Sequence, residues 1–206
     1  IGLVTSKLNL EIPIIKEKTS LLLSGRTTYS DWIMKTLPNK SGYRDGKAGF
    51  YDLGTVFSHT VNERNKRNVY GYYSHDSFAF NDNEKYAYNN MNFSANWRTV
   101  FAEKLTGNFS FGYDHYDYRN DETVEEASAA RLSFAINEWF GKADFLYQAG
   151  NSHAVNFGLM SQLYNVNSGT YEPVGPNSLV RYDELQKDKA LESAVYIGDE
   201  WDITSR

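Results

Sequence analysis

A chain of 206 residues with a formal net charge of −5 and 16% aromatic residues is long enough for one domain, and its modest acidity argues against a surface that neutralises nucleic-acid phosphates. The absence of cysteine excludes disulfides, thiolate metal sites and a catalytic thiol. Mean hydropathy is −0.58 and no window approaches the roughly twenty apolar residues of a membrane helix, yet a transmembrane barrel stays open because lumen-facing polar residues dilute the apolar ones.

In chain order, nine segments read as long β-strands with apolar and polar side chains alternating, a period of two that sends successive side chains to opposite faces. The first, 3–14, sets Leu8, Leu10, Ile12 and Ile14 against Lys7, Asn9 and Glu11. The second, 19–33, points Leu21, Leu23, Thr27 and Tyr29 outward and Ser24, Arg26 and Thr28 inward, and a polar loop over 35–49 follows. The third, 50–61, alternates Tyr51, Leu53, Phe57 and Val61; the fourth covers 68–80. The fifth is the clearest: Met91, Phe93, Ala95, Trp97, Thr99 and Phe101 face one way, Asn90, Asn92, Ser94, Asn96 and Arg98 the other.

The sixth, 107–118, opposes Phe109, Phe111 and Tyr113 to Ser110, Gly112 and Asp114. The seventh, 127–148, carries Leu132, Phe134 and Ile136 and then Ala143, Phe145 and Tyr147, so its parity flips near 137–140, where a β-bulge is expected. The eighth, 154–166, leads through a long connection, 167–190, to the ninth, 191–203. Segments 121–131 and 182–191 have helix-forming composition and are candidates for short loop helices.

Soluble strands average about five or six residues, whereas a tilted strand needs about nine to eleven to cross the hydrocarbon alone. The lengths, with short connections after odd strands and the two longest after even ones, favour a transmembrane wall. Closed single-chain bacterial barrels normally have an even strand number, so nine strands imply two open edges. Both chain ends are therefore expected to be cuts through a larger protein.

The run Pro13-Ile14-Ile15-Lys16-Glu17-Lys18-Thr19-Ser20 followed by Gly25-Arg26-Thr27-Thr28-Tyr29 resembles TonB-dependent outer-membrane receptors, the Bacteroidetes type most closely. Phe50-Tyr51-Asp52, Lys142-Ala143-Asp144-Phe145 with His153 and Phe157-Gly158, and Ala194-Val195-Tyr196-Ile197-Gly198-Asp199-Glu200-Trp201 extend the likeness over nearly the whole chain. The resemblance implies an all-β antiparallel up-and-down meander, residues 1–206 forming one segment of a 22-stranded transmembrane β-barrel. It also implies the outer membrane of a Gram-negative bacterium and energised uptake of a scarce nutrient: a siderophore, haem, cobalamin, a glycan or a peptide. The implied partners are outer-membrane lipid, the TonB complex acting through a plug outside this sequence, a surface lipoprotein, and the nutrient; no nucleic acid is implied.

Candidate chemistry is sparse. His59, His75, His115 and His153 adjoin no metal-ligand spacing, and Asp114-His115 with Asp117 lies beside no nucleophile motif, so no metal, cofactor or enzymatic activity is expected. Glu122, Glu125 and Glu126 lack the order of a calcium loop. Tyr29, Trp32, Tyr51, Trp97 and Tyr113 fit an interfacial aromatic belt. Tyr43, Tyr171 and Tyr182 fall in outer loops and are the candidate ligand contacts. Lumen-facing Arg26, Asn92, Asn96, Arg98 and Asp144 are expected to hydrogen-bond across the wall or to the plug. The same alternation also suits a soluble carbohydrate-binding sandwich, in which a second sheet covers the oily face, or a porin or adhesin barrel without TonB coupling.

Overall fold

The computed structural model describes residues 2–29, 31–38, 46–81 and 83–203. Its strands are β1 (Thr5–Ile15), β2 (Thr19–Thr28), β3 (Lys47–Asn62), β4 (Asn65–Asn81), β5 (Glu84–Ala102), β6 (Leu105–Glu122), β7 (Ala130–Gln148), β8 (His153–Pro173), β9 (Asp183–Glu184) and β10 (Lys187–Trp201). They form one antiparallel sheet in the order β1-β2-β3-β4-β5-β6-β7-β8-β10, with β9 also paired to β8. Each strand lies beside its neighbour in sequence, the meander the alternation implied. β9 and β10 continue one another, because the β8 register is unbroken from Thr170↔Glu184 to Asn167↔Lys187 and Leu185 N–H donates to Gly169 O at 2.9 Å between them.

Local chemistry fixes the hairpins. Asn62 Oδ1 accepts from the Arg64 backbone N–H at 3.0 Å and from Asn65 Nδ2 at 2.9 Å, a side-chain turn that closes β3–β4. Asn81 Oδ1 accepts from Asn83 N–H at 2.8 Å in the same way at the β4–β5 end. Register shifts insert one extra residue, Ile14, Val61 and Phe101, on the odd strand just before three short turns. All three extra residues are large, apolar and exposed.

The sheet has a single layer. Among the described residues the only buried hydrophobic ones are Ala79, Ala129 and Ala130, while Leu53, Phe93, Phe111, Leu159, Val195 and Ile197 stand exposed at 48–84%. Fully burying one such side chain is worth about 1.5–3 kcal/mol, so a face carrying many of them needs a cover that is not water. No second sheet supplies it among these residues, which removes the architecture of a sandwich.

Several expectations are corrected. The β6–β7 register runs without interruption from Leu105↔Tyr147 to Glu122↔Ala130, so no bulge occurs at 137–140. The irregularity lies higher, where Ser133 pairs with Thr170 but Ala135 pairs with Asn167, leaving an extra residue on β8 at Ser168-Gly169. Segment 121–131 is not a helix: both of its ends are strand and its middle holds a three-residue 3-10 turn, Glu126–Ser128. Segment 182–191 is mostly β9 and β10, because pairing along the β8 edge outweighs its helix-forming composition. The connection expected over 167–190 accordingly narrows, with β8 reaching Pro173. The second strand ends at Thr28, and Trp32 sits in a short helix, α1 (Asp31–Met34), with its indole N–H donating to Leu3 O at 3.2 Å.

Candidate functional site

The register assigns every strand residue to one of two faces. On the first, Leu10, Leu23, Thr55, Gly71, Phe93, Tyr113, Trp139, Leu163 and Leu191 form one continuous cross-strand row. The next row towards the short turns is Ile12, Leu21, Phe57, Val69, Ala95, Phe111, Gly141, Ser161 and Ser193. Aromatic pairs edge this band: Tyr113–Trp139 at 4.6 Å and Tyr51–Tyr73 at 6.0 Å on the long-loop side, Trp97–Phe109 at 5.3 Å and Phe145–Phe157 at 5.1 Å on the short-turn side. Tyr51, Trp97 and Tyr113 thus occupy the edges of the band.

Behind the band, the second face is polar and internally bonded. Arg26 Nε donates to Asp52 Oδ2 at 2.7 Å, and its guanidinium lies 4.8 Å from the centre of the Phe50 ring. Asn92 donates to Asp114, and Asn96 donates to Asn108 at 2.8 Å and Ser110 at 3.0 Å. Lys142 Nζ lies 3.0 Å from Asp144, which also accepts from the Tyr196 hydroxyl. Arg98 pairs in register with Lys66 and Asn108. Bonding across the wall therefore accounts for Arg26, Asn92, Asn96 and Asp144.

Beyond the band the two faces exchange character. β3–β8 are 16–21 residues long, or about 50–70 Å at about 3.3 Å per residue, far more than the roughly 25 Å apolar band of an outer-membrane barrel requires. In the excess, the first face carries the charge ladder Lys85↔Asp121↔Arg131↔Glu172. Arg131 grips Asp121 with Nε at 2.6 Å and Nη2 at 3.1 Å and reaches Glu172 through Nη1 at 3.2 Å.

The second face, polar lower down, becomes aromatic over the same length. Tyr88–Tyr118 rings are 5.2 Å apart, Tyr118–Phe134 4.9 Å, Tyr116–Phe134 5.9 Å and Phe78–Tyr86 6.5 Å. Ile136 pairs with Tyr116 and Val166 beside them. The apparent parity flip in β7 is this exchange: Leu132, Phe134 and Ile136 belong to the second face, Ala143, Phe145 and Tyr147 to the first.

The extra residue at Ser168-Gly169 decides where Tyr171 points. It brings Tyr171 opposite Leu132, on the face of the aromatic cluster, which an uninterrupted strand would deny it. Tyr182 lies just before β9, and its hydroxyl donates to Glu184 at 3.0 Å, a contact that pushes the phenol up from its ordinary value. The Lys187 ammonium, 2.9 Å from Glu184, holds that carboxyl below its ordinary range and is itself raised. Tyr182 therefore belongs to an exposed polar clasp apart from Tyr171. Tyr43 lies outside the described residues. Nearby, the 123–129 and 174–182 connections pack together: Leu179 N–H donates to Ala127 O at 2.8 Å, Ser178 Oγ to Ala129 O at 2.7 Å and Asn177 Nδ2 to Glu126 at 2.8 Å. Gly175, at φ 85°, supplies the left-handed turn this packing needs.

Two histidines unremarkable in sequence prove connected. His75 and His115, on β4 and β6, join one hydrogen-bonded line through Asn89 and Asp117. Among the described residues no three or more His, Asp or Glu side chains gather as a metal site.

No protein-family model and no curated protein matches this sequence. Solved structures do match it in fold. The ferric preacinetobactin receptor BauA from Acinetobacter baumannii superposes with a TM-score of 0.68 at 10% identity, over 95% of this chain and 36% of the receptor. The ferric-catecholate import receptor Fiu from E. coli K12 gives 0.55 at 8% identity in its open form, over 100% of this chain and 49% of the receptor, and 0.53 at 7% in its closed form, over 99% and 45%. The chain thus spans between about a third and a half of these receptors. Its fold is that of the TonB-dependent receptor barrel wall; in a transmembrane barrel the apolar face is the outer one and the polar face the inner one, and the two faces are named so below.

Proposed function

We propose that residues 1–206 form one continuous stretch of the barrel of an outer-membrane importer of a Gram-negative bacterium, of the Bacteroidetes type its motifs resemble. The importer takes up a scarce nutrient with energy from the TonB complex acting on a plug inside the barrel. The exchange of faces along β4–β8 carries this reading. Only a wall that meets lipid over part of its height and water over the rest needs an apolar outside below and a charged outside with an aromatic inside above. The aromatic inner cluster from Phe78 to Tyr171 then lines the entrance, where rings and hydroxyls meet cargo. The packed 123–129 and 174–182 connections offer a rim for a surface lipoprotein.

Light scattering beside far-UV circular dichroism tests the wall. β-structure that needs detergent, with aggregation in its absence, is expected. A monodisperse β-rich monomer in plain buffer would overturn the reading, because the outer face would then have an internal cover. For the entrance, Tyr171→Ala in the full receptor should weaken cargo uptake while leaving barrel assembly intact.

A further inference from the structure

Along the upper part of the wall, charge is sorted by sign between the two faces. From the register row of Tyr70, Ser94, Gly112, Phe140 and Gln162 upward, β4–β7 turn Asp76, Glu84, Asp114, Glu122 and Glu138 inward. On β9 and β10 the inward positions at the same height add Asp183, Asp188 and Glu192. Among the described strand residues of β4–β10, no Lys, Arg or His shares the inner face at this height. Lys85, Arg119, Arg131, Lys187 and Lys189 all lie on the outer one.

The sheet does not neutralise these carboxylates from within. Like charges stand opposite one another twice, Asp114 with Glu138 and Glu84 with Glu122. The side chains that reach three of them are uncharged: Asn92 donates to Asp114, Gln162 to Glu138 at 2.7 Å and the Tyr86 hydroxyl to Glu84. A cleft lined by one sign of charge between low-dielectric walls concentrates ions of the other sign.

Rings fill the space between the two like-charged pairs. Tyr116 and Tyr118 lie between Asp114 and Glu122 on β6, with the Tyr118 ring 5.2 Å from Tyr88 and 4.9 Å from Phe134. A cation within about 6 Å of such a ring centre is attracted to its face. Asn120 Oδ1, in the row of Tyr86 and Leu132, is buried with no hydrogen-bond partner among the described residues, so an acceptor stands among the rings without a donor. An ammonium or guanidinium group offers donors only. Below the rings, Asp114 and Glu138 border the recess of about 350 Å³ that Tyr72, Asn90 and Tyr116 also line. Asp114 and Glu122 are about 26 Å apart along β6 at about 3.3 Å per residue, a spacing that suits an extended chain rather than a compact ion.

We propose that this entrance selects cargo carrying positive charge, a basic oligopeptide whose ammonium or guanidinium groups lie over the tyrosine faces and between Asp114 and Glu138. The inference rests on the importer reading and names the cargo class of that entrance. An anionic metal chelate would meet repulsion on the same path.

The test uses the full receptor that carries this chain, in mild detergent, with calorimetry as the readout. The probes are a hexapeptide of alternating lysine and serine and the same peptide with every amine acetylated. The amine form is expected to bind about tenfold more tightly, an advantage that shrinks as salt rises. Asp114→Asn and Glu138→Gln should each weaken it about fivefold, while Glu172→Gln, an outward carboxylate at the same height, leaves it unchanged. Glu138→Gln removes a like-charge contact, so an undiminished melting temperature beside weaker binding excludes a folding defect. Equal binding of the two peptides, no binding of the amine form, or equal binding by all variants overturns the cationic class and leaves the importer reading standing. A receptor that needs no detergent removes the importer reading, and the cargo class with it.

Discussion

Asp114 on β6 and Glu138 on β7 stand directly opposite one another on the inner face, two carboxylates in one register pair. Each is served by an amide, Asp114 by Asn92 and Glu138 by Gln162 Nε2 at 2.7 Å, and neither faces a cation in the described chain. With Tyr72, Asn90, Tyr116 and Ile136 they line a recess of about 350 Å³. Like charges directly opposite destabilise an antiparallel pair by about 0.2–1 kcal/mol relative to a neutral pair. Glu138→Gln keeps an acceptor for Gln162 and removes the repulsion, so it should raise the melting temperature of the detergent-solubilised chain. A lowered melting temperature would mean that Glu138 has a further partner.

The assignment of faces can be tested with neighbouring residues. Phe111 is 50% exposed on the outer face, between Ala95 and Gly141, while Ser110 beside it points inward between Asn96 and Lys142. Phe111→Arg should destabilise the barrel in bilayers by about 2–4 kcal/mol, the cost of an arginine near the midplane. Ser110→Arg should cost far less. Equilibrium refolding into lipid vesicles separates the two, and equal costs would reverse or abolish the assignment.

How much of this was legible in the sequence depended on where the alternation met a single environment. Met91 to Phe101 lies wholly within the band and reads cleanly as one outward stripe. In β7, Ile136 and Ala143 sit on opposite faces of a regular strand, which one-environment reasoning reads as a bulge; the cause is that above the band the apolar side chains change from the first face to the second. The irregularity that does exist, at Ser168-Gly169, fell in a stretch expected to be a loop, so the inward placement of Tyr171 was hidden. The 182–191 segment carried helix-forming residues, and only the open edge of β8, invisible in composition, made it a strand. The line joining His75 to His115 was unreadable by spacing, since its members lie on three strands and meet only through the hairpin registers set at Asn81–Glu84 and Ala102–Leu105.

Two glycines next to each other across β6 and β7 should behave oppositely. A Cβ on Gly112 would come within 2.4 Å of the Phe140 ring and 2.9 Å of Phe93 O, whereas one on Gly141 would meet nothing within 4 Å. Gly112→Ala must displace the ring and strain the β5 backbone, with an expected loss of about 1–3 kcal/mol. Gly141→Ala meets no obstacle and stiffens the unfolded chain, so it should be neutral or stabilise by up to about 1 kcal/mol. Thermal unfolding of both variants in one detergent decides it; a destabilised Gly141→Ala would show that a neighbour packs closely there.

The clasp beside β9 should respond to pH on both sides of neutrality. Glu184 is held below the ordinary carboxylate value of about 4.3 by the Lys187 ammonium and then by the Tyr182 hydroxyl, so its contribution is complete above that value and is lost as pH falls through the lowered one. Lys187 is raised by Glu184, so its contribution is complete below about 10.4 and is lost as pH rises through the raised value. Between these limits the clasp is closed and keeps β9 in line with β10 across Leu185, whose N–H bonds to Gly169 O at 2.9 Å. Amide exchange at Leu185, corrected for intrinsic pH dependence, should be level from about pH 5 to 8 and accelerate below about pH 4. Lys187→Gln should remove the acid-induced step without changing exchange at Val195, deep in β10. A Leu185 profile identical in the variant would show that β9 is held by backbone pairing to Thr170 and Tyr171 alone.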